Sequence, residues 1–273
     1  MALTDKLTAI ADAIREKTGS TEAMTLDEMA EGITGLDTSG GSSTKYNATI
    51  DNLLGDTDDD GVLQAPSDSF SLIFTGVKDI GKNALFHAFY GCTSLTSLDL
   101  SGLTDVSGSY GMNYAFCGCT SLTSAAFPNL TDVSGSYGMS YAFYSCTGLT
   151  SLDLSALETI SDSGMSYAFY GTGVTSLDLP SLTSLGQQAL YCNTTLTKIW
   201  IPSTCTTISA SRYSYSPFYQ CSSSLEIFTD AEAALDGWGA YWNYYGSGGA
   251  LTVHYGATHE EFEQGYMNED TEE

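Results

Sequence analysis

The sequence contains few basic residues and no long apolar run. Eight Lys and Arg residues stand against 33 Asp and Glu residues, which gives a net charge of −25 over 273 residues. Phosphate contacts by Lys and Arg supply most of the affinity of nucleic-acid-binding proteins, so this composition excludes nucleic acid as a partner. The same shortage excludes attraction to anionic lipid. No apolar segment reaches the roughly 20 residues that a membrane-spanning helix needs, so membrane insertion is not expected.

Signatures of secretion and catalysis are also missing. Residues 1–6 have neither the basic region nor the apolar region of a secretory signal. The sequence has three histidines, and it contains no His-Glu-x-x-His helix, Gly-x-Ser-x-Gly elbow or phosphate-binding glycine loop. These absences predict that the chain is not an enzyme of the common hydrolase or nucleotide-binding classes.

An Ala-Phe-Tyr motif, or a variant of it, recurs along the chain. By subtraction of residue numbers, successive copies are 27, 27, 26, 21 and 28 residues apart. The units carry a Leu-x-x-Leu-x-Leu pattern, and this period and pattern are typical of leucine-rich repeats. The sequence therefore predicts a β-rich leucine-rich-repeat solenoid with one short strand per unit. The anchor residues of the units are Phe89, Phe116, Phe143, Phe169, Leu190 and Phe218.

Each unit contains one predicted strand, and residues 95–100 are the first example. Their alternation turns Leu98 and Leu100 toward the core. Ser97 and Asp99 lie between these leucines and point outward. A single strand cannot bury its apolar face alone, so neighbouring units must stack, with the Ala-Phe segment closing the opposite wall. Equivalent strands are predicted at residues 149–154, 174–179 and 196–201, and the second unit places Ala125 and Phe127 inward.

The units resemble the BspA-like leucine-rich-repeat family, in which an apolar strand is followed by a turn, Ile-Gly, Ala-Phe, a small residue with Cys, and Leu. The resemblance covers roughly residues 66–256 and implies a surface adhesion or protein-interaction scaffold without catalytic residues. An inserted Ser-Gly-Ser-Tyr-Gly-Met segment, at residues 107–112 and 134–139, lengthens two units. The matching residues are Ala88-Phe89, Cys92 and Leu95, Ala115-Phe116, Cys119 and Leu122, and Ala142-Phe143, Cys146 and Leu149, with residues 77–81 and 185–186 for the turn.

The N-terminal 36 residues are predicted to form a small α-helical module. Leu3, Leu7 and Ile10 lie on one helical face. A capping box at Thr25 begins a second short helix. Two helices of this size bury too little apolar surface to fold alone. Residues 10–19 and 24–29 resemble an N-terminal module of phage tail-associated proteins, so we expect residues 3–33 to bind another virion protein or copies of themselves.

The rest of the chain divides into three parts. Residues 37–48 are rich in Gly, Ser and Thr and are predicted to be a linker. Residues 49–256 form the predicted solenoid with its caps, and residues 257–273 form an acidic tail. The aromatic segment at residues 238–245 has two interpretations at this point. It is either a cap over the last core layer or a platform for stacking sugar rings.

One acidic loop is a weak calcium candidate. Asp56, Asp58 and Asp60 match the first half of a calcium-binding loop, but Ser67 occupies the twelfth position, where a bidentate Glu is expected. The alternative is a solvated turn. No other cofactor is predicted.

The cysteines are predicted to be structural. Cys92, Cys119 and Cys146 recur at the same repeat position, and Cys221 is a looser equivalent. Small buried residues at one repeat position fill one core layer each. The odd total of seven also argues against a complete disulfide framework.

A carboxylate pair is the remaining catalytic possibility. Asp153 and Asp178 share one outward strand position, and on adjacent rungs they would lie roughly 5 Å apart, near the separation in retaining glycosidases. Repetition alone explains this alignment. A carbohydrate-active enzyme therefore stays a distant alternative.

The function predicted from these patterns is recognition. Residues 10–19 and 24–29 resemble an N-terminal module of tail-associated proteins in bacteriophages and prophages, which implies a virion tail protein that binds a host cell-surface protein or glycan. The alternative is a BspA-like adhesin or interaction scaffold on a bacterial cell surface. One predicted ligand face consists of outward strand residues and the other of tyrosines in the inserted segments. These residues are Ser97, Asp99, Ser124, Asp153, Asp178 and Trp200 on the first face, and Tyr110 and Tyr137 on the second.

Overall fold

A computed structural model describes residues 36–38, 44–46, 69–74, 77–246 and 249–264, and residues 69–264 of this set form a solenoid of stacked rungs. The predicted helical module and the calcium-like loop at Asp56, Asp58 and Asp60 lie outside the described residues. Two strands that overlap the predicted linker, β1 (Leu36–Thr38) and β2 (Thr44–Tyr46), pair antiparallel.

Each rung runs along three walls before the chain rises to the next rung. The strand wall consists of β3, β4, β5, β7, β9, β11, β13 and β16, and the ribbon wall consists of β6, β8, β10 and β12. The turn wall consists of residues 81–91, 108–118, 135–145, 161–171, 186–192 and 212–220. The strands are β1 (Leu36–Thr38), β2 (Thr44–Tyr46), β3 (Phe70–Ile73), β4 (Leu95–Asp99), β5 (Ser124–Ala126), β6 (Asp132–Val133), β7 (Ser151–Asp153), β8 (Thr159–Ile160), β9 (Ser176–Asp178), β10 (Ser184–Leu185), β11 (Lys198–Trp200), β12 (Thr207–Ile208), β13 (Glu226–Thr229), β14 (Tyr244–Gly246), β15 (Gly249–Ala250) and β16 (Thr252–Tyr255), with a 3-10 helix η1 (Tyr213–Tyr215) and a helix α1 (His259–Gln264).

The strand wall contains two parallel sheets, β3-β4-β5-β7 and β9-β11-β13-β16. Their pairing places equivalent repeat residues side by side, as the predicted solenoid requires: Ser124 pairs with both Ser97 and Ser151. The four predicted strands are confirmed, although each is shorter than predicted. We call the interruption between β7 and β9 the seam. It follows a one-residue deletion, because Leu177 comes 8 positions after Phe169, whereas the equivalent interval is 9 in the preceding units.

The ribbon wall is one parallel sheet in the order β12-β10-β8-β6. Its strands are two residues long, and their inward residues include Val133, Ile160, Leu185 and Ile208, all buried. This wall was not predicted from the sequence, since a strand of two residues shows no periodicity.

The turn wall is built from consecutive tight turns that also bond to the next rung. Alternate backbone N–H groups donate across rungs, as from Met112 to the Gly138 carbonyl at 2.7 Å. The intervening ones donate within the turn, as from Ala115 to the Met112 carbonyl at 3.0 Å. A left-handed backbone conformation recurs at every fourth residue, for example at Tyr110, Tyr114 and Gly118. The inserted segments therefore form the first turn of this wall.

The core between the walls contains a ladder of phenylalanines. The rings of Phe89, Phe116, Phe143 and Phe169 stack with centroid separations of 5.3, 5.7 and 6.4 Å. All four are buried, which confirms that the Ala-Phe segment points its ring inward.

The cysteines are free and buried, as predicted. The Cys119 thiol donates to the Phe89 carbonyl at 3.2 Å, and the Cys146 thiol donates to the Phe116 carbonyl at 3.0 Å. Burial raises the pKa of Cys92 to about 11. These thiols therefore stay protonated at neutral pH and fill the core as small donors.

The aromatic segment at residues 238–245 caps the solenoid. Trp238 and Trp242 are buried against the last core layer with ring centroids 4.5 Å apart. The indole N–H of Trp238 donates to the Cys205 carbonyl at 2.6 Å. Of the two interpretations, the cap is therefore the one that fits the tryptophans.

Candidate functional site

Aromatic side chains form three rows along the turn wall, two of them at left-handed positions of its four-residue period and the third one residue before the next such position. The rings of each row come from equivalent positions on successive rungs. The rows are the tyrosine pair (Tyr110 and Tyr137), the inner row (His87, Tyr114, Tyr141 and Tyr167) and the outer row (Tyr90, Cys117, Tyr144 and Tyr170).

The inner row is a continuous half-buried stack. Tyr141 lies between Tyr114 and Tyr167, with a ring-centroid distance of 4.4 Å to each. Burial raises the pKa of Tyr141 to about 12, and it also raises the pKa of Tyr114 and Tyr167. These phenols are therefore neutral, and because both faces of the central ring are covered, the inner row mainly stabilises the wall.

The outer row packs beside the inner row. Tyr144 and Tyr170 stack at 4.9 Å, and Tyr144 lies 5.8 Å from Tyr141. Cys117 takes the place of a tyrosine in this row and is only 4% exposed. Burial raises the pKa of its thiol to about 11, so Cys117 is not a reactive thiolate at neutral pH.

The tyrosine pair differs from both rows because its rings are open to solvent. Tyr110 and Tyr137 are 41% and 40% exposed, and their rings are stacked 5.3 Å apart with nearly parallel planes. In the part of the chain that the structure describes, neither ring stacks on any other. The equivalent positions on the flanking rungs hold Asn83 and Ser163. One face of each tyrosine ring is consequently not covered by a stacked ring.

The backbone at the tyrosine pair is strained. Tyr110 has φ of 58° and Tyr137 has φ of 56°, a left-handed conformation that costs a non-glycine residue about 1 kcal/mol. Gly118, two turns later in the same rung, adopts this conformation without that penalty. The backbone therefore does not favour tyrosine at these positions, and Tyr114 and Tyr141 of the inner row adopt the same conformation.

Exposed aromatic side chains are concentrated on the turn wall. Among the described residues, six of the eight exposed large apolar or aromatic side chains lie there. Two of the six, Tyr110 and Tyr137, were predicted from the sequence. The four-residue spacing of aromatic residues within a unit could have indicated the others. The six are Phe86, Tyr90, Tyr110, Tyr137, Tyr213 and Tyr215.

The strand wall presents small polar groups at its predicted ligand positions. Ser124 and Asp153 are exposed, while Ser97 and Asp99 are half-buried. The Asp153 carboxylate accepts a hydrogen bond from the Ser155 hydroxyl at 2.7 Å. These residues share one strip, as predicted, and none of the four has an aromatic side chain.

Helix α1 covers the C-terminal part of this strip. His259 Nε2 lies 2.9 Å from both carboxylate oxygens of Asp178. The Phe262 ring packs against Trp200 and Phe228, with centroid distances of 6.0 and 5.7 Å. Lys198 Nζ donates to the Glu263 carbonyl at 3.1 Å.

Trp200 is therefore only 5% exposed, and its predicted role as a ligand contact does not fit this arrangement. Asp178, the other predicted contact in this part of the strip, is engaged by His259. The alternation of the strand correctly turned Trp200 outward. A helix some sixty residues later in the chain covers it, and strand periodicity does not predict that contact.

The carboxylate pair also differs from the arrangement predicted. Asp153 and Asp178 lie on opposite sides of the seam, so their strands are not paired. Within the described residues no group of three or more His, Cys, Asp and Glu side chains is placed to hold a metal ion. A membrane-spanning helix is likewise not found in that part of the chain.

Comparison with known proteins gives one family match and one structural match. The family model for the BspA type leucine rich repeat region matches in six copies, over residues 71–165 and 112–229, which together cover more than half of the chain. A crystal structure of a leucine-rich repeat protein from Bacteroides ovatus is 18% identical, with a TM-score of 0.34. The match covers 68% of this chain and 56% of that protein. No curated protein matches the sequence.

Proposed function

The chain belongs to the BspA-type leucine-rich-repeat family, and we propose that it is a non-catalytic adhesion or protein-interaction scaffold. Members of this repeat family are generally binding scaffolds. The observation that carries the proposal is the concentration of exposed aromatic side chains on the turn wall. Exposed aromatic groups concentrated on one surface mark interaction sites more often than single exposed groups do.

The turn wall is suited to binding because it is rigid before a partner arrives. Its rungs are joined by backbone hydrogen bonds, and its half-buried rings stack from rung to rung. Tyrosine provides a large contact area and has few rotatable bonds, so little side-chain entropy is lost on binding. The partner we propose is a protein or glycan of a cell surface.

The cellular setting is part of the proposal. The family match supports an adhesin or interaction scaffold of the BspA kind. The alternative of a phage tail protein depends on residues 1–33, which lie outside the described residues, and it remains a prediction.

The test is binding of the full chain to bacterial cell envelopes, measured by co-sedimentation. Replacing Tyr90 with Ala and both members of the tyrosine pair with Gly should abolish binding. The matched control replaces Asp99 and Asp153 of the strand wall with Asn, and it should bind as the unaltered chain does. Loss of binding in the control alone would place the binding surface on the strand wall instead.

The prediction that the N-terminal helices attach the chain to a virion is tested by measuring envelope binding together with capture of a virion protein. Replacing Ile10 and Ile14 with Asp disrupts the predicted apolar face of the first helix. Unchanged envelope binding, together with lost capture of a virion protein, would support the tail-protein alternative. If the variant still binds envelopes and still captures the virion protein, the tail-protein alternative is wrong.

A further inference from the structure

The tyrosine pair is the only described place on the turn wall where two stacked phenol rings both remain about two-fifths exposed. Because Tyr110 and Tyr137 stack on each other, the face of each ring that no other ring covers is directed toward the neighbouring rung, which holds Asn83 on one side and Ser163 on the other. Ser134 and Ser136 are exposed beside the pair, and the exposed Asn83 lies one rung away. The surface thus combines aromatic faces with hydroxyl and amide groups.

This part of the turn wall has no charge of its own, although the chain carries a net charge of −25. Residues 106–131 and 133–152 contain no Asp, Glu, Lys or Arg. The nearest charged residues of the turn wall are Lys82 and Asp162, one rung to either side. The Asp162 carboxylate already accepts a hydrogen bond from the backbone N–H of Gln187 at 2.7 Å.

The acidic residues nearby belong to the other two walls. Asp99 and Asp153 lie on the strand wall, while Asp105 and Asp132 lie along the ribbon wall. A basic partner would therefore be drawn to those walls and away from the tyrosine pair. A polyanion would be repelled by the chain as a whole.

We infer that the tyrosine pair binds an uncharged polysaccharide. The C–H face of a pyranose ring packs on an uncovered phenol face, and its hydroxyl groups bond to the phenol, serine and amide groups around the pair. This inference rests on the proposed function, since it names the partner class of the same wall.

The test measures retention of the full chain on immobilised cellulose, chitin, starch and mannan, and on the acidic polymers alginate and heparin. The informative variant is Tyr110→Gly with Tyr137→Gly. Glycine accepts the left-handed conformation, so this variant removes the rings and relieves strain instead of adding it. The matched control is Tyr241→Ala with Tyr255→Ala, which removes two similarly exposed rings that lie off the turn wall.

The expected result is binding to at least one uncharged polymer and none to alginate or heparin. The double glycine variant should bind at least about tenfold more weakly, as for loss of a central aromatic contact. The control should bind unchanged, and Tyr110→Phe with Tyr137→Phe should lose less than the glycine variant. Circular dichroism melting of each variant confirms that it is folded.

Three results would overturn the inference. They are equal binding by the glycine variant, binding only to acidic polymers, and no binding to any polymer while cell envelopes are still bound through the turn wall. In the third case, abolition of envelope binding by protease would identify a protein partner, and the scaffold proposal would stand. Failure to bind envelopes at all would instead refute the proposed function itself.

Discussion

The turn wall and the strand wall enclose the same core but face the solvent differently. The turn wall is linked from rung to rung without interruption from Asn83 to Gln220, and its outer side carries aromatic rings. The strand wall is split at the seam, its outer side carries Ser and Asp, and α1 closes its C-terminal part. The strand wall presents small polar groups in a flat strip, whereas the turn wall holds bulky rings stacked from rung to rung. In this solenoid the turn wall is therefore the better candidate for binding.

The largest expected effect tests whether the turn wall anchors the core. Phe143 is fully buried between Phe116 and Phe169, so Phe143→Ala should lower the free energy of unfolding by about 3–5 kcal/mol. The comparison is Leu152→Ala in β7, beside the seam. Leu152 is only half-buried, so its replacement should lower the free energy of unfolding less. Urea denaturation followed by circular dichroism measures both. Equal losses would mean that the strand wall contributes as much as the turn wall.

The next effect concerns the closed part of the strand wall. Phe262→Ala removes the ring that covers Trp200 and should weaken the docking of α1 by about 1.5–3 kcal/mol. Tryptophan fluorescence should shift to the red as Trp200 meets water. The exposed Gln264→Ala provides a control on the same helix, and a similar shift in that variant would show that the helix is not held by its aromatic contact.

A smaller effect tests the left-handed positions of the turn wall. Gly118 and Ser145 occupy equivalent positions with φ of 76° and 58°. Gly118→Ala should destabilise the chain by about 1 kcal/mol, and Ser145→Gly should stabilise it by a similar amount. Thermal unfolding monitored by circular dichroism distinguishes the two signs. The same sign in both variants would mean that contacts, and not backbone strain, control this position.

The smallest effect is a dependence on alkaline pH. Burial raises the pKa of Tyr141 from its ordinary value of 10 to about 12. The unfolded chain therefore loses this proton first, and the stability that the neutral phenol contributes is complete below pH 10 and is lost as pH rises toward 12. The free energy of unfolding should fall less steeply over this range in Tyr141→Phe. Identical slopes would show that the inner row does not contribute to the pH dependence.

Much of the fold could be predicted from the repeat period of the sequence. The spacing of the phenylalanines predicted stacked rungs with the rings inside, and the recurring cysteines predicted free, buried thiols, both of which are confirmed. The ribbon wall could not be predicted in this way, because strands such as β6 contain only two residues. Its inward valine and isoleucine residues acquire their role only when rungs stack.

The candidate site was less predictable than the fold. Tyr110 and Tyr137 were predicted as ligand contacts because they lie in inserted segments. The rows around them could not be predicted, because they depend on a left-handed backbone conformation that tyrosine rarely adopts. Trp200 was placed outward correctly, yet its exposure depended on a contact with Phe262. Contacts between distant parts of a chain depend on tertiary packing, which local patterns do not contain.

The seam also determines how the solenoid responds to bending. Across it the ribbon wall stays paired, as at Thr159 and Ser184, and the turn wall stays bonded, as from the Phe143 N–H to the Ala168 carbonyl at 3.1 Å. Only the strand ladder is missing there. A bending load therefore opens a gap between β7 and β9 while the other two walls act as a hinge. We therefore expect the parts of the solenoid on either side of the seam to stay rigid, with the bend concentrated between β7 and β9.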